Sequence, residues 1–427
     1  MQRSVFLSTF LFAAVLSPIT LYGNDCAPPA DARLAILELR VGSFHGENTI
    51  EGFDPNVFSY DARFPEEESV GILWVRTKHP SQSIEVQYDG MPVKLVGQSV
   101  AKLDVPLGSS ELTIDVATRG PMPDSQRYVV RVERVPVFAC TEQGIREAIA
   151  RGGGPIYFDC DEPTVVPTEA EIVIDNDVIL DGEGNLIVDA QGTVPPAPGE
   201  IAPKVNGAHR VFSIPEGVTA ELLGFTVTGG STDGDGGGIL NAGTLTLAKG
   251  VVSGNTARFG GGVRNEGQGQ ADVIETTVSE NFATQVGGGI SNRLEGATMT
   301  LSRSTVQGNT ATGNVGGIAN SGTLTVNDTT VSGNEAGGEA GGIGNSGEMT
   351  MTKSTVFGNT ATAEGGGILN AGAFSLENST VSGNQAGDAG GGIVNEATMT
   401  LKETTISANE AGESGGGVDN RDDAELF

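Results

Sequence analysis

The sequence predicts an all-β chain in which a small β-sandwich leads into a parallel β-helix that opens with one short capping helix. Three observations carry this. Residues 34–135 alternate apolar and polar side chains with period two, as half-buried strands require. From Val252 onward one pattern returns at intervals of 26, 28, 25, 25, 25 and 25 residues, and such repeats identify stacked architectures. Finally, 64 of the 427 residues are Gly, about twice the usual share of ~7%. Glycine this dense opposes helix by about 1 kcal/mol per residue relative to Ala.

Composition bounds the rest. Hydrophobic residues make up 37% and aromatics 5%, too apolar for wholesale disorder, and no three-residue glycine period supports collagen. Lys and Arg number 24 against 54 Asp and Glu, a net charge of −30. A nucleic-acid partner needs a basic footprint, so that class is excluded. Three Cys and three His leave no room for a zinc cluster.

Met1-Gln2-Arg3, the apolar run Val5–Leu16, then Pro18 and Gly23 have the layout of a secretory signal peptide over 1–23. The run is shorter than the ~20 residues that span a bilayer, and no later segment qualifies. The expected location is therefore extracellular or the bacterial cell envelope and outer surface. Asp25 stands where a lipoprotein signal has a small residue before its Cys, so a lipid anchor on Cys26 is not expected. Export permits disulfides. Cys140 and Cys160 bracket a short segment and are the expected pair, a closure of about 20 residues contributing on the order of 3 kcal/mol. Cys26 is left free or intermolecular.

The sandwich is placed over 33–135. Ile84–Tyr88, Leu112–Val116 and Tyr128–Val132 alternate cleanly, and Asp89-Gly90, Pro106-Leu107-Gly108 and Pro121-Met122-Pro123-Asp124 supply turns. Trp74, the only tryptophan, reads as core. The opening Leu34–Val41 with Phe53-Asp54-Pro55 and Ser59-Tyr60 resembles a cadherin-like module of bacterial surface proteins. The same holds for Val105–Gly108 with Leu112–Val116 and for the closing Tyr128–Arg134. The resemblance implies a spacer or binding unit and no activity.

The β-helix is placed over 138–427, with a cap at 138–175 and regular rungs from about 225. Thr141 to Ala150 predicts an amphipathic helix, N-capped by Thr141 and ended by Gly152. Its apolar face is Ile145, Ala148 and Ile149, and Glu142 pairs with Arg146. In the repeats, taking Val252, Val278, Val306, Val331, Val356, Val381 and Ile406 as marks, Asn stands three residues later each time. These are Asn255, Asn281, Asn309, Asn334, Asn359, Asn384 and Asn409. A second Asn series runs from Asn265 and Asn292 to Asn420. Seven and five residues before each mark stand apolar pairs, Leu245/Leu247 through Met399/Leu401, with a mostly Thr residue between. That is in-out-in alternation held in register over seven turns. Stacked turns share one core, and Asn at a fixed corner can bond to its equivalents above and below.

The recurring Gly-Gly-Gly-Ile-x-Asn and Ser-Thr-Val-x-Gly-Asn motifs over about Phe225–Asn420 resemble the repeats of polymorphic outer membrane proteins and related pectin-lyase-like coils. The resemblance implies a right-handed parallel β-helix solenoid displayed at a bacterial surface and used in adhesion. In that family a membrane barrel or sorting tail follows, whereas this sequence stops at Leu426-Phe427, within what reads as the next strand. The expectation is a truncated form or a last edge covered by another molecule, with end-to-end self-association.

Three chemistries compete with a structural stalk or adhesin. An enzyme cleaving acidic polysaccharides, pectate-lyase- or polygalacturonase-like, would border the Pro-rich excursion Gly192–Arg210 and use Asp181, Asp189 and His209. The cations Lys249, Arg258, Arg264, Arg293, Arg303, Lys353 and Lys402 are read as sharing no register, which argues against it. Calcium would find its only local hint at Asp233 and Asp235, and no other cofactor is expected. The outward Thr series resembles flat ice-binding coils, but Asp272 and Ser375 interrupt it. The expected function is therefore non-catalytic, with a cell-surface glycan or protein as the partner.

Overall fold

The computed structural model describes residues 34–41, 53–65, 70–78, 82–96, 99–105, 108–117, 125–160, 162–190, 209–294, 296–421 and 424–427. The expected signal peptide, Cys26 and most of the Pro-rich excursion lie outside the described residues. Two compact units divide near residue 134.

The first unit consists of two small antiparallel sheets. One orders Leu34–Val41, Val70–Thr77 and Val100–Asp104. The other orders Ser59–Pro65, Ser125–Val135, Gly108–Ala117, Ser83–Tyr88 and Met91–Val93. Alternation works as predicted: Leu112, Ile114, Val116, Tyr128, Val130 and Val132 are buried. Tyr128 ties the sheets together. Its hydroxyl accepts from the Leu34 N–H at 3.1 Å and donates to the Pro55 carbonyl at 3.0 Å. Trp74 is half-buried.

The second unit is a right-handed parallel β-solenoid of about ten turns. Its helix, Glu142–Arg151, has Thr141 as N-cap, Gly152 as C-cap, and Ile145, Ala148 and Ile149 buried beneath it. The Thr141 hydroxyl accepts from the Gly144 N–H at 3.1 Å, and Arg146 meets Glu142 at 2.6 Å. The Cys140–Cys160 disulfide, with Cα atoms 5.4 Å apart, ties the residue before the N-cap of this helix to the residue after the strand Gly153–Asp159.

Each later turn crosses four ladders. The first holds five-residue strands such as Thr323–Asn327, and the second three-residue strands such as Thr330–Ser332. The third holds pairs such as Glu335–Ala336, and the fourth strands such as Ile343–Asn345. Two long early strands, Val178–Asp189 and Thr219–Thr228, run through the first and second ladders without a break. The predicted apolar pairs fill the interior; Leu324, Val326, Met349 and Met351 are at most 3% exposed.

Corners, not strands, set the register. The Asn column forms as expected: Asn309 Nδ2 donates to Asn334 Oδ1, and Asn334 Nδ2 to Asn359 Oδ1, each at 2.9 Å. The second Asn series makes a parallel chain, with Asn320 donating to Asn345 and Asn345 to Asn370, each at 2.8 Å. A hydroxyl column completes the set. The N–H groups of Thr276, Ser304, Thr329 and Ser354 each donate to the Oγ of the equivalent residue one turn on.

The residue three before each mark adopts left-handed backbone. Lys249, Glu275, Arg303, Asp328, Lys353, Asn378 and Glu403 have φ between 48° and 55°. This corrects the reading of the cations as unregistered: Lys249, Arg303 and Lys353 share one column, separated by Glu275 and Asp328. Alternating sign there turns neighbouring charges into attractions, as between Arg303 Nε and Glu275 Oε1 at 2.9 Å. Among the described residues no helix is long and apolar enough to cross a membrane.

Candidate functional site

The middle residue of each fourth-ladder strand points outward. From turn to turn it is Leu240, Arg264, Ser291, Ala319, Gly344, Leu369, Val394 and Asp419. Three successive small residues, Ser291, Ala319 and Gly344, leave a depression between bulkier neighbours. A groove of about 650 Å³ occupies it and runs along the coil axis from Phe259 to Leu369.

The corner that walls this groove is built differently there. Just before the glycine pair of each turn lies a left-handed position, filled by Gly260, Gly287, Gly365, Gly390 and Gly415 in the ordinary turns. In the groove turns it is Val315 at φ 62° and Ala340 at φ 60°. A β-branched residue with positive φ is a real outlier, and held strain of this kind concentrates at binding and catalytic sites. The exchange is compensated one turn on. A Cβ on Gly344 would lie 2.5 Å from Val315 Cγ2, so Gly344 makes room for the Val315 side chain. In an ordinary turn the middle residue of the fourth-ladder strand lies over the glycine of its own turn, as the Val394 side chain does over Gly390.

One end of the groove is cationic and aromatic. The guanidinium carbons of Arg293, Arg258 and Arg264 lie 4.8, 4.9 and 5.5 Å from the Phe259 ring centroid, an arrangement that favours the cations over the ring face. Arg264 is only 4% exposed. Its Nη1 donates to Ser291 Oγ at 2.9 Å, and Glu266 and Asp235 lie at 3.3 and 3.7 Å. Burial pulls its guanidinium below the ordinary value, while Asp235 and Glu266 oppose the shift. It stays charged and holds the Ser291 edge in place. Arg293, by contrast, is exposed at the mouth. On the rim, Asn314 Nδ2 donates to Glu339 Oε2, and the Glu339 N–H donates to Asn314 Oδ1, both at 3.1 Å. The groove can thus hold an elongated, hydroxyl-bearing ligand with an anionic group at the arginine end.

The residues singled out from the sequence lie elsewhere. Asp181 Oδ1 accepts from the Glu183 N–H at 2.9 Å, at the bend of Val178–Asp189. Asp189 ends the same strand, and its carbonyl accepts from the Thr168 N–H at 2.9 Å. The His209 ring lies against the Thr168 and Arg210 carbonyls at 3.1 and 2.8 Å. The fold therefore brings His209 and Asp189 to either side of Thr168 and leaves Asp181 at the other side of the bend. Of the calcium candidates, the Asp235 carboxylate faces Arg258 at 3.3 Å and Arg264 at 3.7 Å, and its carbonyl accepts from Arg210 Nη2 at 2.7 Å. Asp233 lies two residues before it. Among the described residues no three His, Cys, Asp or Glu side chains come together as a metal site.

The predicted outward Thr series does stack, with Thr300, Thr325 and Thr350 in adjacent turns. A second, unbroken series of six runs from Thr277 to Thr405 on the second ladder.

Sequence reasoning missed Val315, Ala340 and Gly344. The signal was there: Val315-Gly316-Gly317 and Ala340-Gly341-Gly342 replace the triple glycine of the other turns. No family model, no curated protein and no solved structure matches this chain.

Proposed function

We propose that the protein is exported and serves at a bacterial surface as a non-catalytic scaffold: a stiff coil acting as a stalk, with the groove along the fourth ladder as its adhesive face. Its repeats are of the polymorphic outer membrane protein type, within the pectin-lyase-like coils, and its first unit is a cadherin-like spacer. The observation that carries the reading is the local departure at Val315, Ala340 and Gly344. The other turns close the same corner with Gly, so stiffness alone does not call for a β-branched residue with positive φ there.

The partner is a cell-surface glycan or protein that presents an extended, partly anionic chain to Arg293. The test is a glycan and protein array probed with the full chain and with Arg293→Ala, beside incubation with polygalacturonate and alginate. Expected is capture of an anionic ligand, weakened about tenfold by Arg293→Ala, a loss of about 1.4 kcal/mol, with the polysaccharides left uncut. Release of shortened products would replace adhesion by the glycan-cleaving reading. Silence on both would leave only the stalk.

A further inference from the structure

A second depression lies on the second ladder. The first outward residue after each mark is Ser or Gln in six of the seven turns and Phe357 in the other. Phe357 is 54% exposed in a column that otherwise shows water only hydroxyls and an amide. Beside it runs a trough of about 350 Å³, bounded by Glu280 at one end and the Phe357 ring at the other. Its floor is Gly308 and Gly333, both left-handed at φ 61°, so backbone instead of side chain faces the ligand space. Gln307 and Ser332 line the side. The ring leans toward the next turn: a Cβ on Gly383 would lie 3.1 Å from Phe357 Cε2.

The chemistry is that of neutral sugar recognition. An aromatic face offers an apolar platform to the C–H side of a pyranose, while amide, hydroxyl and carboxylate groups bond its hydroxyls. From the turn of Glu280 to that of Phe357 there are three inter-turn steps, roughly 14 Å at ~4.8 Å each, the length of a short oligosaccharide. Charge selects among sugars. Glu280 closes one end and is the only charged residue of the lining, so an acidic sugar is repelled here. We infer that this trough is a binding site for a short neutral oligosaccharide, with Phe357 as the stacking platform and Gln307, Ser332 and Glu280 as hydrogen-bonding partners.

This site lies on a different ladder from the groove and goes beyond the reading above. The experiment titrates the full chain with cellotriose, maltotriose and chitotriose, and with trigalacturonate as the acidic probe, followed by saturation-transfer NMR and calorimetry. Phe357→Ser is safe for the fold, because Ser332 and Ser382 already occupy the equivalent place in adjacent turns. The expected result is that at least one neutral trisaccharide binds. Phe357→Ser should weaken it about tenfold, the scale of a lost aromatic contact, Gln307→Ala should weaken it less, and Arg293→Ala should leave it unchanged. The proposal is overturned if no neutral trisaccharide binds, if Phe357→Ser binds like the parent, or if trigalacturonate is preferred. It is equally overturned if light scattering shows an oligomer of the parent chain that Phe357→Ser dissolves, since the ring would then serve self-association. A loss confined to Arg293→Ala belongs to the groove, so the two readings fail separately.

Discussion

Two corners of the same repeat behave differently. Between the second and third ladders, Asn occupies one position in all seven turns, and the amide chain runs unbroken from Asn255 to Asn409. Between the third and fourth ladders, the left-handed position is Gly in most turns but Val315 and Ala340 beside the groove. The Asn corner couples each turn to both neighbours, so a single departure strands donors in the turn before and takes one of two donors from the Asn oxygen of the turn after. The glycine corner is a matter of local fit, and one compensating residue, Gly344, absorbs a change there. The turns meet at the glycine corner through backbone bonds, as from the Gly316 N–H to the Ala340 carbonyl at 3.1 Å, which a change of side chain leaves in place, and it is there that the coil is remodelled.

The largest way to break the comparison is at the centre of the chained corner. Asn334 Oδ1 accepts from both the N–H and the Nδ2 of Asn309. Asn334→Ala leaves the Asn309 N–H and one of the two Nδ2 hydrogens without an acceptor, the other still bonded to the Val278 carbonyl at 3.0 Å, at ~1–3 kcal/mol each, so about 4 kcal/mol in all. The start of the parallel chain is the control. Asn241 Oδ1 is buried with no partner, because Ile214 faces it in the preceding turn. Asn241→Ala removes one unsatisfied oxygen and leaves one buried acceptor, Asn265 Oδ1, without its Nδ2 donor, so it should cost only about 1 kcal/mol. Denaturant unfolding measures both, and hydrogen exchange should show the Asn334→Ala damage spreading from the turns of Val306 and Val356. Equal losses at the two positions would mean that the amides act singly and not as a chain.

Next in size is the tight part of the variable corner. A Cβ on Gly341 would lie 2.5 Å from the Gly366 carbonyl oxygen, backbone against backbone. Gly341→Ala should therefore cost about 2–3 kcal/mol through overpacking. Its exchange protection should fall in the turns of Val331 and Val356 alone. Loss across the whole coil would show that this corner, too, is coupled over many turns.

How much of this was legible follows from the same contrast. The Asn columns, the apolar pairs and the cap of Glu142–Arg151 could be read because each uses a residue type whose chemistry names its place: an amide that must be satisfied, an aliphatic that must be buried, a Thr that caps. The left-handed corner of Lys249, Glu275 and Arg303 could not, since a charged residue announces solvent and says nothing about φ. Counting offsets from the marks would still have shown the shared column. The hydroxyl column of Thr276, Ser304 and Thr329 stood in view as a motif, but Ser and Thr suit a solvent-facing strand just as well. The groove was hidden for a deeper reason. It is made of departures from the repeat, and Val, Ala and Gly in a glycine-rich stretch become informative only when the neighbouring turn is placed against them.

The smallest effect is the sharpest test of that last point, because it asks whether Val315 and Gly344 compensate each other. Gly344→Ala alone puts a Cβ 2.5 Å from Val315 Cγ2 and only 3.4 Å from Ala340 Cβ. The clash is thus with Val315, and a cost of about 1–2 kcal/mol is expected. Val315→Gly alone relieves a left-handed penalty of ~1–2 kcal/mol and gives up the burial of a valine that is 7% exposed, worth ~1.5–3 kcal/mol. The net change should be a loss of about 1 kcal/mol. With both substitutions present, the new Cβ meets no Val315 methyl and packs against Ala340 at an ordinary distance. The double variant should then be more stable than the sum of the single changes predicts, by about 1 kcal/mol, well outside the additivity expected of unrelated sites. It should also lose affinity for whatever the groove binds, since the wall that Val315 supplies is gone. Strict additivity would mean that the two residues do not shape the groove together, and the departure from the repeat would then be two unconnected substitutions.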